Sequence, residues 1–283
     1  MADMKRTIVA VILTMTSTSA ICGTSSAGPN RKAAAVKDTH ALIVTGINKN
    51  AIDRQTKDKA VVDLSSFLLN NASIKRDRLA VLANSRSLAS TASDVSTAEN
   101  IEDKIGAFAA AVNPADRFLF YYVGQANVAA GELRLNLPGA DITHEQLAEW
   151  LGPIKASSIL IVLDCPGAGL AVKALAGEGR IIVAGCTADQ HYSTRFSEYF
   201  VPALVENKSD TDSDGKVSLL EAFTSASRQL DDFYRSKGLL KTETPLLEDN
   251  SDGVASDKPW RFKQDKTDGA AASKFFLSRT PAS

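Results

Sequence analysis

Two stretches decide the fold: Phe118-Leu-Phe-Tyr-Tyr-Val123-Gly124-Gln125-Ala126 and Ile159-Leu-Ile-Val-Leu163-Asp164-Cys165-Pro166-Gly167-Ala168-Gly169. Each begins with an unbroken apolar run of strand length. A strand that is apolar at every position, rather than at every second one, is covered on both faces. Working outward, three more such runs appear: His40 to Gly46, Leu79 to Ala83 and Ile181 to Ala184. Helical spacing lies between them. Val61, Val62, Leu64, Phe67 and Leu68 share one face. Ser96 with Glu99 reads as a capping box for Ile101, Ile105, Phe108 and Val112, which Pro114 stops. Thr143 with Gln146 opens another helix, ended by Gly152-Pro153, and Leu170 to Leu175 is a short helical piece. Leu133 to Leu137 reads as a short edge strand. Strands alternating with helices predict an α/β three-layer sandwich around a mostly parallel sheet. Sites in such sheets lie at the carboxyl ends of strands. The segments after Gly46, Val123, Leu163 and Ala184 therefore matter most.

The rest of the chain sets bounds. It has 283 residues, 44% hydrophobic and 23% charged, with a formal net charge of −1. No basic field predicts nucleic-acid binding. Lys5 and Arg6 precede the apolar stretch Ile8 to Met15, and small residues run from Ser17 to Ala27. That is the order of a secretory signal, predicted over residues 1–27 with Ser25 and Ala27 at the cleavage site and Ala20 as another possible end. The apolar run is too short for a comfortable membrane span, so none is expected once the signal is removed. Cys22 follows Ile21, where a lipoprotein needs a small residue. The signal takes away two positive charges and one negative, leaving −2 and two cysteines, Cys165 and Cys186. Two cysteines are no disulfide framework. Residues 28–38 read as a linker and residues 254–283 as a tail, with Trp260, Phe262 and Phe275-Phe-Leu277 as its apolar points.

The strand ends carry a resemblance. The order apolar strand, Gly124-Gln125-Ala126, apolar strand, Asp164-Cys165-Pro166-Gly167-Ala168-Gly169 resembles the caspase and legumain clan of cysteine peptidases. In that clan the third strand ends in Gly-His-Gly and the fourth in Asp-x-Cys-x-Ser-Gly, whose His and Cys form the catalytic dyad. Ser96 to Ile101, Asn136 to Gly139, Gly179 to Val183 and Thr242 to Asn250 are similar to segments of bacterial caspase-like proteins. The likeness covers residues 39–253. It implies a caspase-like domain, and the departures imply that the domain has lost its chemistry. Gln125 stands at the catalytic His position, and an amide is no general base. Pro166 stands at the nucleophile and Ala168 at the Ser. Cys165 sits one residue early, and successive strand residues face opposite sides. The reading is a pseudo-peptidase that binds a protein or peptide or regulates one. The alternative is an active cysteine endopeptidase using Cys165 with His191, which needs a base beside the thiol. His40 and His144 read as structural.

One further motif is local and specific. Asp210-Thr-Asp212-Ser-Asp214-Gly215-Lys216-Val-Ser218-Leu-Leu-Glu221 fits an EF-hand-like Ca²⁺ loop over residues 210–221. Asp210, Asp212 and Asp214 supply hard oxygens, Gly215 the turn and Lys216 a carbonyl. Ser218 holds a water and Glu221 binds through both oxygens. Phe196, Tyr199, Phe200, Ala203 and Leu204 face inward before it, and Leu220, Phe223, Ser227 and Leu230 after it. A calcium-stabilised structural module of the envelope is thus a second alternative. The acidic stretch Glu248 to Gly253 lacks this pattern and reads as a turn.

Overall fold

The computed structural model describes residues 38–72, 74–262 and 267–277. The expected signal, Cys22 and nearly all of the 28–38 linker lie outside the described residues. The core is a six-stranded sheet: β1 (Thr39–Thr45), β2 (Leu79–Leu82), β3 (Arg117–Val123), β7 (Ser158–Asp164), β8 (Arg180–Ala184) and β9 (Leu246–Glu248). Their spatial order is β2-β1-β3-β7-β8-β9. All neighbours are parallel except β8 and β9, which pair antiparallel. The expected layer architecture is present, a mostly parallel sheet with helices on both faces.

Alternation along the strands splits the core in two. Ala41, Ile43, Leu119, Tyr121, Leu160, Val162, Ile181 and Val183 face one side. There they meet α1 (Ala51–Asn70), α5 (Phe196–Val205) and α6 (Leu219–Ser236). Leu42, Val44, Phe118, Phe120, Tyr122, Ile161, Leu163 and Ile182 face the other. That side is covered by α2 (Ala98–Ala111), α3 (His144–Leu151) and the one-turn α4 (Val172–Leu175). Both faces are dry, which is why the strands read as solid apolar runs.

Several local expectations shift. Val62 is 38% exposed, whereas Val61, Leu64, Phe67 and Leu68 are buried. A 3.6-residue turn places Val62 about 100° from Val61, outside the buried stripe. The cap of α2 is Thr97, whose hydroxyl accepts from the Asn100 amide, rather than Ser96. Ser96 is buried and donates instead to the Thr45 carbonyl, tying the start of α2 to the end of β1. The Thr143 and Gln146 capping box is present as read. Residues near Leu133 do not edge the main sheet. They form β5 (Glu132–Leu135), which pairs with β4 (Ala126–Ala129) and β6 (Ile142–Thr143) in a separate antiparallel sheet. The His144 Nδ1 accepts from the Leu133 amide, a structural role. Glu248 closes a strand, and only the residues after it bend.

The tail is partly docked. Phe275 and Leu277 are buried, in neither a strand nor an α-helix, and the Leu219 amide donates to the Phe275 carbonyl. Trp260 packs on the core, while Phe262 is 38% exposed. No helix among the described residues is long and apolar enough to cross a membrane.

Candidate functional site

β3 and β7 are neighbours in register, with Val123 opposite Asp164, and the Gly124 amide donates to the Asp164 carbonyl. The sequence therefore brings Gln125 and the Asp164-Cys165-Pro166 turn to one edge of the sheet. Close approach fixes the glycines there. A Cβ on Gly46 would lie 1.9 Å from the Tyr122 hydroxyl, and one on Gly124 would lie 2.6 Å from the Gly46 Cα. The ends of β1 and β3 pack at a distance that only glycine permits.

Gln125 is held from both ends. Its amide donates to the Ile47 carbonyl, and its carbonyl accepts from the Tyr122 hydroxyl and the Asn136 amide. Its side-chain Nε2 donates to Ser193 Oγ at 2.6 Å and to Asp53 Oδ2 at 3.3 Å. Asp53 is paired with the buried Lys57 at 3.2 Å. The Asp53 amide donates to the Asn50 side chain, the cap that starts α1. An amide donor thus points at a carboxylate and a hydroxyl. The amide positions these groups and is itself no general base.

Cys165 lies on the other side. It is fully buried among the residues that face α2, α3 and α4. Asp164 faces α5, where its Oδ2 accepts from the Ser197 amide in the first turn. Burial pushes the Cys165 thiol well above its usual range, and Cys186 and Asp164 push the same way. A neutral, enclosed thiol is a poor nucleophile. Cys186 donates to the Cys165 and Gln190 carbonyls, and burial pushes it up to about 12. The two cysteines are free thiols.

His191 is exposed. Its Nδ1 would lie 3.6 Å from a Cβ built on Gly167, so it reaches the turn after Pro166. It makes no hydrogen bond to Cys165. The structure therefore brings Gln125 and the Cys165-Pro166 turn to one edge of the sheet, sets His191 against Gly167 and encloses the thiol.

Beside Gln125 a cavity of ≈ 380 Å³ is lined by Asp53, Ser193, Arg195, Glu198, Phe233 and Leu239, among others. Arg195 pairs with Glu198 at 2.6 Å and lies over the Phe233 ring. Half-burial raises the Glu198 carboxyl, an effect that Arg195 opposes. Ile52 and Leu239 stand exposed at the mouth. Below it, the buried Glu243 accepts from the Arg195 amide and the Tyr234 hydroxyl. Sequence reasoning missed Asp53, Ser193 and Glu243. The Asn50-x-x-Asp53 cap pattern marks where α1 begins, but nothing in the sequence ties it to Gln125.

The acidic loop lies between α5 and α6. Ligand oxygens of Asp210, Asp212 and Asp214 lie within 4.8 Å of one another. The Asp214 and Gly215 amides donate to the two Asp210 oxygens, and the Lys216 amide donates to Asp214 Oδ1. Gly215 has φ +83, a left-handed turn that suits glycine. Ser218 caps α6 with Glu221 in a reciprocal box. Glu221 also accepts from the Thr211 amide and hydroxyl, and together these bonds hold its carboxyl below the usual range against the effect of burial. The three aspartates suit a hard cation, whereas the Glu221 oxygens are turned to the protein's own donors. No family model matches the chain, and no curated protein matches it.

Proposed function

We propose that the chain is an exported, caspase-like pseudo-peptidase that binds a protein or peptide segment at the carboxyl edge of its sheet. One observation carries the reading. The positions that resemble the catalytic pair are Gln125 and Pro166, while Cys165, next to Pro166 in the chain, is buried among the residues that face α2, α3 and α4. The cleft supports a binding role, because the cavity beside Gln125 has charged walls and an apolar mouth that suit an inserted side chain. The chain freed of residues 1–27 is expected to leave fluorogenic peptides and casein uncleaved. Cleavage abolished by Cys165→Ala would sink the proposal and favour the peptidase built on Cys165 and His191.

The acidic loop favours a second reading, a calcium-stabilised module, on the strength of its three convergent aspartates. In that reading Asp210, Asp212, Asp214, the Lys216 carbonyl, Ser218 through a water and Glu221 hold Ca²⁺, with Glu221 exchanging some of its present partners. Calcium is expected to raise the melting temperature of the native chain and to leave Asp210→Ala unmoved. Equal melting of both in calcium and in chelator removes this reading.

A further inference from the structure

A second cavity, of ≈ 470 Å³, opens at the far end of the sheet, where β1 and β2 begin. It lies between α2 and the 3-10 turn Arg76–Arg78. Its walls carry three cations, Arg76, Arg78 and Lys104, against one acid, Asp77. Arg78 is paired with Asp38. Arg76 and Lys104 form no ion pair among the described residues. Leu79 and Phe108 supply an apolar side.

His40 also lines this cavity and is only 5% exposed. Its Nε2 faces Asp116 Oδ2 at 3.5 Å, and Phe108 meets the ring edge-on. Its Nδ1 has no hydrogen-bond partner. Buried polar atoms are rarely left so. With the Nε2 proton directed at Asp116, Nδ1 presents a lone pair and requires a donor. The cations nearby require an anion. One chemical group supplies both: a phosphate monoester, whose second pKa lies at about 6, so that it carries or readily takes a proton on one oxygen.

We propose that this cavity binds a phosphomonoester. Two of its oxygens face Arg76 and Lys104, a third shares its proton with His40 Nδ1, and its organic part rests on Phe108 and Leu79. The site is remote from Gln125 and does not depend on the reading of that cleft.

Binding is linked to a proton. The charged groups acting on His40 are Asp116 in the turn before β3, Asp38 before β1 and Arg78 in the 3-10 turn; from α2, Phe108 meets its ring and Lys104 lines the same cavity. Burial, with help from Arg78, holds the imidazole below its ordinary range against the two aspartates. A bound dianion reverses that field, so the complex takes up a proton that the free components lack.

Titration calorimetry with phenyl phosphate on the chain freed of residues 1–27 tests the proposal. Saturable binding is expected, tighter at pH 6 than at pH 8, with a heat that depends on the buffer's own protonation enthalpy. Arg76→Ala and Lys104→Ala each weaken it roughly tenfold, as loss of a charge-assisted contact does. His40→Phe keeps the ring and is expected to remove the gain in affinity on going from pH 8 to pH 6, leaving only the ligand's own titration, which acts in the opposite sense. If that variant fails to fold, the two changes at more accessible positions still decide the matter. Three results overturn the proposal: no saturation at concentrations to about 10 mM, affinity indifferent to Arg76→Ala and Lys104→Ala, or equal binding of benzoate or phenol.

Discussion

The carboxyl of Glu243 is fully buried and pushed from its ordinary 4.5 up to about 7, chiefly by burial and further by Asp164. The folded chain therefore keeps a proton that the unfolded chain has already released. Between those two pH values the unfolded state binds fewer protons, so stability falls as pH rises and levels off above the upper one. The loss is on the order of 3 kcal/mol for this group. Asp268, also pushed up to about 7 by burial, acts in the same direction. Glu243→Gln is expected to flatten the slope of denaturant midpoint against pH between pH 5 and pH 7. An unchanged slope would show that another group controls it. The thiols give a second expectation: iodoacetamide should label neither Cys165 nor Cys186 in the native chain at pH 7.5 and both in denaturant. The enclosed state of Cys165 was legible from sequence, because one residue of offset on a strand turns a side chain to the other face. Glu243 was not legible, since nothing local marks a carboxylate that will meet Asp164 across the fold.

At the level of elements, the register of β1 against β3 depends on Gly46. Gly46→Ala must displace the Tyr122 hydroxyl, and is expected to cost about 3 kcal/mol of stability, as overpacking does. Adding Tyr122→Phe should recover part of that loss, which a thermal melt of the double variant would reveal. Purely additive losses would place the strain elsewhere. The cap of α6 gives a smaller effect. Ser218→Ala removes one half of the box with Glu221 and should lower stability by about 1 kcal/mol. The five parallel strands and α1, α2, α3, α5 and α6 were legible because each is an unbroken apolar run, an amphipathic stripe or, for α3, a helix marked by its capping box. β9 escaped notice because it has three residues and no run of its own. Of the small sheet, only the strand near Leu133 was legible, and as an edge of the main sheet; β4 and β6 escaped because short, half-exposed strands give only a weak alternating signal.

For the whole molecule, the layer architecture followed from the pattern of the chain, while the rim around Gln125 did not. Asp53 and Ser193 lie 72 and 68 residues from Gln125, a separation that only the closed sheet brings together. Both borders of that sheet are occupied by the chain itself. On the β2 side, Leu82 bridges Asp94, and the Ser93 and Ala83 amides complete the contact. On the β9 side, Leu247 and Ser256 exchange both of their backbone hydrogen bonds. Ser256→Pro removes one of these donors, and light scattering of the warmed variant should rise sooner than that of the native chain. If the two scatter alike, the contact at Ser256 does not protect the border. With both margins of the six-stranded sheet bridged by the chain's own backbone, that sheet offers neighbouring copies in a crowded solution little template for lateral zippering, and a peptide visiting its edge has to be gripped through its side chains instead of being woven into it as an extra strand.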